Sequence, residues 1–134
     1  GKGRPPPEVA EEGLVVPVLR AVDEKSLDEL EAEARRLAEG ARAGTLKPEE
    51  LRGSTFTVTS AGKLGGLFAT PLGNPPGVGI LGLHRIGPGP AVVDGELAVR
   101  EIGWLACTFD HRVVDGARAS VFLLDVIGRL QSPA

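Results

Sequence analysis

The sequence predicts an α+β domain in which a mixed or mostly antiparallel sheet packs against helices. Two observations carry this prediction. Short segments of strand-forming residues alternate with turn residues along much of the chain, and two other segments repeat apolar residues at helical spacing. The chain has 134 residues, of which 42% are hydrophobic. That is enough for one domain with its own core.

The first part of the chain predicts a strand followed by an amphipathic helix. The segment of residues 13–20 is short and rich in valine, and Pro17 favours an edge or irregular strand there. Ser26 and Glu29 have the spacing of a capping box. Leucine and alanine then recur every three or four residues, and Gly44 is placed to end the helix.

A short turn, a second strand and a long loop follow. Pro48 stands at the start of a predicted helical turn. Residues 55–59 alternate between threonine and an apolar residue and are rich in strand formers, so they predict a strand. Residues 60–76 hold too many glycines and prolines for regular structure, yet they include the apolar Leu67 and Phe68. We therefore expect an ordered loop with buried anchors, the kind of loop that often lines a site.

The last part of the chain predicts three strand segments and a helix. Residues 77–83 have the composition of a buried strand, and an Asp-Gly pair in residues 91–99 predicts a hairpin. Residues 102–109 are apolar at nearly every position, which predicts a central strand buried on both faces. Residues 117–130 repeat apolar side chains at helical spacing.

Composition excludes several classes of protein. The net charge of −3 and the pI near 5.4 argue against a nucleic-acid surface. No apolar run is long enough for a membrane span, and no signal segment opens the chain. Cys107 is the single cysteine and fits a reducing compartment. We expect a cytoplasmic protein, or a mitochondrial matrix protein if the source is eukaryotic.

His111 is the strongest candidate for a catalytic group. It is one of two histidines, it follows an apolar strand segment, and it stands between Asp110 and Arg112 with Asp115 four residues on. Imidazole accepts a proton near neutral pH, so this pattern predicts a general base. The Asp115 spacing suits a tight turn in which the carboxylate supports the histidine loop. The alternative interpretation is a surface turn with ordinary ion pairs.

Other chemistries fit the residues less well. No His-Glu-x-x-His or paired-cysteine spacing predicts a metal site. Ser60 lacks the flanking glycine of a hydrolase elbow, and Cys107 lies inside an apolar strand, where thiols are mostly inert. His84 is interpreted as a surface or packing residue. The glycines of residues 62–66 do not lead into a phosphate-binding helix.

Six motifs occur in order along the chain. They are Phe-Thr-Val-Thr-Ser-Ala-Gly (56–62), Thr-Pro (70–71), Asn-Pro-Pro (74–76), Ile-Leu-Gly (80–82), Val-Val-Asp-Gly (92–95) and Asp-His-Arg-Val-Val-Asp-Gly (110–116). Together they resemble the dihydrolipoamide acyltransferase family, which supplies the core of 2-oxo acid dehydrogenase complexes. The resemblance extends from about residue 12 to the C-terminus.

The resemblance implies a fold, a reaction and a site. The fold would be that of chloramphenicol acetyltransferase, assembled as trimers that build a larger core. The acyl group would arrive on a lipoyl arm and leave on coenzyme A, without a metal. His111 matches the general base that deprotonates the coenzyme A thiol, Thr59 matches the hydroxyl that stabilises the oxyanion, and Asp115 matches the group that supports the histidine loop. Histidine and hydroxyl would come from neighbouring subunits.

The chain departs from the family at its N-terminus. Family members carry substantial catalytic-domain sequence before the equivalent of Gly13. We therefore expect residues 1–11 to be a flexible leader and residues 12–134 to be the C-terminal portion of an acyltransferase domain, with the lipoyl group on a domain absent from this chain. Implied partners are further copies of the chain, the 2-oxo acid decarboxylase and dihydrolipoamide dehydrogenase. The alternative is a fragment without activity that serves only in core assembly. The motifs do not distinguish acetyl, succinyl and branched-chain groups.

Overall fold

A computed structural model describes residues 15–60, 62, 66–73 and 75–132. The predicted leader and residues 13 and 14 lie outside these described residues. The regular elements are, in order, α1 (Leu27–Ala43), β1 (Thr57–Ser60), β2 (Gly79–Leu83), β3 (Gly87–Val93), β4 (Glu96–Ile102), β5 (Leu105–Phe109) and α2 (Gly116–Gln131). The chain divides into two compact units, Gly1–Ser54 and Thr55–Ala134. The predicted α+β class is confirmed, and the described residues form it from small sheets and two α-helices.

The first unit contains α1, and local sequence signals set both of its ends. The Ser26 hydroxyl accepts a hydrogen bond from the Glu29 backbone N–H, while the Glu29 carboxylate accepts from the Ser26 N–H at 2.8 Å. Gly44 ends the helix at φ +66°, a conformation that glycine adopts without a Cβ clash. Leu37 is the buried side chain of this helix. The predicted helix is confirmed.

The strand predicted at residues 13–20 is wrong for the described residues 15–20, which have no sheet partner. The Val18 N–H donates to the Glu50 carbonyl at 2.8 Å, and the Arg20 guanidinium donates to the carbonyls of Glu49 and Arg52. Pro17 has no N–H to offer a neighbouring strand. The segment is extended chain tied to the short 3-10 helix Pro48–Leu51.

The second unit contains a three-stranded sheet in the order β1-β2-β5. β1 runs parallel to β2, and β5 runs antiparallel to it. The central strand is therefore β2, whose Ile80, Leu81 and Gly82 are all buried. The prediction that residues 102–109 form the central strand is wrong, because Ile102 ends the preceding hairpin and β5 lies at an edge of this sheet.

The two faces of this sheet have different coverings. Successive side chains alternate between faces, so residues paired across strands share a face. One face carries Phe56, whose ring meets the Phe122 ring of α2 edge-on at 5.5 Å between centroids. The opposite face carries Thr57 and Thr59, with Gly82 paired to Thr59. The sheet therefore packs against α2 on the Phe56 face and leaves the Thr59 face for other groups.

The strands β3 and β4 form a separate two-stranded sheet. Its turn residues Asp94 and Gly95 have φ values of 52° and 84°, as a type I′ hairpin turn requires. The predicted hairpin is confirmed, and it is longer than the sequence pattern indicated. In the described part of the chain, no helix has both the length and the apolar character needed to span a membrane.

Candidate active site

A tight turn directly after β5 presents His111. The Asp110 N–H donates to the Val78 carbonyl at 2.9 Å, which extends the pairing of β5 with β2 by one residue. The Asp110 carbonyl then accepts from the N–H groups of Val113 and Val114, both at 3.0 Å. The backbone on both sides of His111 is therefore held by hydrogen bonds, while its own side chain is exposed.

Asp110 and Arg112 form an ion pair across the histidine. The Asp110 carboxylate accepts from the Arg112 backbone N–H at 2.9 Å and from the guanidinium at 2.9 and 2.7 Å. These hydrogen bonds from Arg112, with its charge, lower the pKa of Asp110 from 3.8 to about 2. The carboxylate stays charged throughout the neutral range, so the turn keeps its clamp there.

The His111 ring packs against the strand that precedes it. Its centroid lies 5.7 Å from that of Phe109, with the two ring planes tilted by 38°. This contact restricts the imidazole on one side and leaves the rest of the ring open to solvent. An exposed imidazole on a fixed turn can accept a proton from a group that approaches from outside the chain.

Asp115 is the N-cap of α2. Its carboxylate accepts a hydrogen bond from the Arg118 backbone N–H at 2.8 Å, which satisfies a donor at the start of the helix. The Arg118 side chain lies 3.8 Å from the same carboxylate. Asp115 thus fixes the point at which the histidine turn enters α2, and its catalytic contribution stays a prediction.

Thr59 lies on β1 with its side chain exposed, at the other end of the sheet from His111. Thr59 pairs with Gly82, and Gly82 pairs with Ala106, four residues before Asp110. At about 3.3 Å per residue and about 4.8 Å per strand, Thr59 and Asp110 are about 16 Å apart at their Cα atoms. The base must lie within about 3 Å of the attacking thiol, and the oxyanion donor must lie within about 3 Å of the acyl oxygen, so both side chains have to converge on one reacting group. The fold of a single chain therefore does not bring Thr59 and His111 together.

His84 is buried, at 7% exposed, and belongs to the same face as Thr59 and Gly82. Its Nδ1 lies 3.0 Å from the Trp104 carbonyl oxygen, and its Nε2 lies 2.7 Å from the Ala69 backbone nitrogen. The interpretation of His84 as a packing residue fits its burial.

The Leu67 and Phe68 side chains, which we expected to be buried anchors, are 65% and 58% exposed. The loop is anchored through the backbone of Ala69 instead.

Neither nucleophilic attack by Cys107 nor metal binding is favoured among the described residues. Burial raises the pKa of the Cys107 thiol, which disfavours the thiolate needed for nucleophilic attack. In the described ranges, no three side chains of His, Cys, Asp and Glu lie close enough to hold a metal ion.

The sequence interpretation gave ion pairs at the His111 turn only as an alternative to a catalytic role, and it gave no hydrogen-bond partner for His84. An aspartate two residues before an arginine is a signal for the local turn that Asp110 forms, and it was available in the sequence. The Ala69 contact of His84 depends on how a loop folds back over β2, and no local pattern indicates it.

Comparisons with known proteins identify relatives along almost the whole chain. The family model of the 2-oxoacid dehydrogenases acyltransferase catalytic domain matches residues 9–134. The dihydrolipoyllysine-residue succinyltransferase component of the 2-oxoglutarate dehydrogenase complex of Bartonella vinsonii subsp. berkhoffii is 46% identical over 92% of this chain and 30% of that protein. The lipoamide acyltransferase component of the branched-chain alpha-keto acid dehydrogenase complex of Pseudomonas putida is 48% identical over 91% of this chain and 29% of that protein. The chain thus spans about 30% of the length of these relatives.

Comparison with solved structures finds relatives of the same kind. The cubic core of the pyruvate dehydrogenase multienzyme complex matches with a TM-score of 0.84 and 41% identity, over 90% of this chain and 49% of that one. The dihydrolipoamide acetyltransferase of Azotobacter vinelandii matches with a TM-score of 0.84 and 40% identity, over the same shares. In that protein, crystallography and enzymology addressed the roles of a serine, a histidine and an asparagine in the catalytic mechanism.

Proposed function

Because the chain belongs to the 2-oxoacid dehydrogenase acyltransferase family, we propose that it transfers an acyl group between dihydrolipoamide and coenzyme A. The observation that carries the proposal is the exposed His111 on a turn fixed by Asp110 and Arg112. A side chain held in this way is available to a substrate that approaches from solvent. Both substrates would be thiols or thioesters on long flexible arms.

The spacing of three residues supports the assignment of roles. In the Azotobacter vinelandii acetyltransferase, the serine lies 52 residues before the histidine, and the asparagine lies four residues after it. In this chain Thr59 lies 52 residues before His111, and Asp115 lies four residues after it. Threonine keeps the hydroxyl of serine, and aspartate keeps the oxygen acceptor of asparagine.

His111 acts as the general base in the proposed reaction. The imidazole takes the proton from the coenzyme A thiol, because the thiolate and not the thiol is the competent nucleophile. The thiolate attacks the acyl carbon of the acyl-lipoyl thioester, and a new carbon–sulfur bond forms. As the tetrahedral species collapses, the bond to the lipoyl sulfur breaks and the imidazolium returns the proton to that sulfur. General base catalysis of this kind contributes about 10²- to 10⁴-fold.

Thr59 acts as the oxyanion donor. Its hydroxyl lies at an exposed end of β1, so it can donate a hydrogen bond to the oxygen that becomes negative when the thiolate adds. One such donor is worth about 3 kcal/mol of transition-state stabilisation. Asp115 supports the reaction indirectly, since its cap on α2 fixes the end of the histidine turn.

The active site is composed of residues from two copies of the chain. The separation of about 16 Å between Thr59 and Asp110 prevents one copy from placing both groups on one acyl carbon. A neighbouring copy that presents its Thr59 to His111 removes this obstacle. We therefore infer a trimeric assembly with the arrangement of chloramphenicol acetyltransferase, in which trimers build a larger core.

The hairpin of β3 and β4 supports assembly. Val92, Leu97 and Val99 are 70%, 83% and 71% exposed, and Val92 is paired with Leu97 across the strands. With Pro90 on the same face, these side chains form an apolar patch exposed to solvent, and Glu101, paired with Pro88, borders it. Surfaces of this kind mark contacts with other proteins. Further partners of the proposed complex are a 2-oxo acid decarboxylase and dihydrolipoamide dehydrogenase.

The test is acetyl transfer from acetyl-coenzyme A to dihydrolipoamide. The chain is assayed alone and extended at its N-terminus by the preceding catalytic-domain residues of the Azotobacter vinelandii acetyltransferase. We expect activity in the extended form and its loss, by about 10²-fold or more, in His111→Ala. Arg35→Ala serves as the control, because Arg35 lies on the exposed surface of α1 in a pair with Glu31.

Two results would count against the proposal. Activity that survives in His111→Ala contradicts the role of His111 as the base. A folded, oligomeric chain without transferase activity in either form favours the alternative function, a piece that serves only in core assembly.

A further inference from the structure

We propose that His84 is a positioning residue that holds residues 68–71, here called the strap, against the sheet face that carries Thr59. The inference rests on the proposed acyltransferase function, and it adds a residue to the Thr59 half of the site. It follows from three features of the structure: the hydrogen bonds of a buried imidazole, an aromatic stack, and a close contact over Gly82.

The two ring nitrogens of His84 contact two different backbone segments. The Trp104 carbonyl oxygen lies 3.0 Å from Nδ1 and is only an acceptor, so Nδ1 donates to it. Nε2 accepts the Ala69 backbone N–H at 2.7 Å in the ring tautomer that carries its proton on Nδ1. The Ala69 carbonyl oxygen also lies 2.9 Å from Nε2. One imidazole thus joins the strap to the chain segment between β4 and β5.

The strap packs directly on the sheet beside Thr59. The Phe68 ring stacks on the His84 ring, with centroids 5.2 Å apart and planes 19° from parallel. A Cβ on Gly82 would lie 3.2 Å from Cγ of Pro71 and 3.6 Å from Cε1 of His84. Pro71 therefore occupies the space above Gly82, the residue that is paired with Thr59.

This arrangement gives the strap a role in the reaction. Thr59 and Gly82 are neighbours on adjacent strands, about 4.8 Å apart, so the Pro71 ring over Gly82 lies on the same sheet face as the Thr59 side chain. A ring held at this position restricts the directions from which other groups can approach the exposed hydroxyl. An oxyanion donor is effective only when it is oriented before the charge develops.

A histidine is required here for its two polar contacts and not only for its volume. An apolar side chain of similar size would fill the buried space but would leave the Ala69 N–H and the Trp104 carbonyl with one partner fewer. A replacement of His84 that keeps the hydrogen bond to Ala69 should therefore preserve activity. A replacement that keeps only the hydrogen bond to Trp104 should lower it.

The experiment compares His84→Gln with His84→Asn in the extended chain. The glutamine oxygen can reach the position of Nε2 and accept from Ala69, whereas the asparagine amide reaches only the position of Nδ1. We expect His84→Gln to keep kcat within about threefold and His84→Asn to lower kcat by about 10- to 100-fold, with KM for acetyl-coenzyme A within about twofold in both. Circular dichroism checks that both variants are folded.

Hydrogen exchange at the Ala69 amide supplies a readout that does not depend on activity. We expect faster exchange in His84→Asn and near-wild-type exchange in His84→Gln. Unchanged exchange in His84→Asn overturns the strap, and unchanged kcat despite faster exchange overturns its role in the reaction. Inactivity of the wild-type chain in both forms refutes the proposed function, and the exchange rates then decide by themselves whether His84 holds the strap.

Discussion

Mixing two inactive variants should restore activity if the site is shared between copies. Thr59→Ala removes the oxyanion donor and leaves His111, while His111→Ala removes the base and leaves Thr59. Each variant alone lacks one group at every site. In a mixed trimer, however, some interfaces join an intact His111 from one copy to an intact Thr59 from the next.

The size of the recovery follows from the geometry. If each site takes its base from one copy and its donor from the neighbour, random mixing in equal amounts completes about one quarter of the sites. The mixture should therefore reach about a quarter of the wild-type rate, against residual rates lower by about 10²-fold for each variant alone.

The assay is acetyl transfer by the two variants after they are unfolded and refolded together, compared with the same variants refolded separately and then combined. The second sample controls for exchange between assembled copies. A rate in the co-refolded sample equal to the average of the two separate variants would refute the reasoning. It would mean that Thr59 and His111 do not meet across copies, despite the separation of about 16 Å between Thr59 and Asp110 within one chain.

Three further predictions test individual elements. The pKa of Asp110 is lowered from 3.8 to about 2, so its ion pair with Arg112 should be complete above pH 3.8 and be lost as pH falls through about 2. The chemical shift of the Arg112 backbone amide in an NMR titration follows this change. A titration midpoint near 3.8 would contradict the ion pair. Leu97→Asp puts a charge on the apolar hairpin face and should shift the assembly toward smaller species in sedimentation velocity, and an unchanged distribution would exclude that face from the interface. Ser26→Ala removes the capping box with Glu29 and should cost about 1 kcal/mol in urea unfolding, whereas a loss below a few tenths would show that the cap is dispensable.

Local signals in the sequence predicted most of the regular elements. The capping box at Ser26 and the glycine at position 44 marked both ends of α1, and the Asp-Gly pair at 94 and 95 marked the hairpin turn. These features succeed because a few neighbouring residues determine the backbone conformation there.

Features that depend on tertiary context were not predictable in the same way. The valine-rich segment around Pro17 has strand-like composition, but strand formation needs a partner, and the Val18 N–H donates to Glu50 of the 3-10 helix instead. Apolar character also placed residues 102–109 at the centre of the sheet, whereas the pairing order gives that position to β2.

The roles of the candidate site residues came from the family resemblance and stay predictions. The motifs identified His111, Thr59 and Asp115, and the spacing of 52 and four residues agrees with the Azotobacter vinelandii acetyltransferase. The register of β1, β2 and β5 then separates Thr59 from His111 within one chain. The family resemblance also implied that histidine and hydroxyl come from neighbouring subunits, and this arrangement stays a prediction.

The dependence of the rate on pH tests the role of His111 as the base most directly. In the acetyl-transfer assay on the extended chain, wild type should exceed His111→Ala by about 10²- to 10⁴-fold near neutral pH, because the attacking dihydrolipoamide thiol then needs a base. The ratio should shrink as pH rises through about 8.5, where a free thiol ionises without help. A ratio that stays constant across this range would contradict the account, because His111 would then contribute something other than removal of the thiol proton.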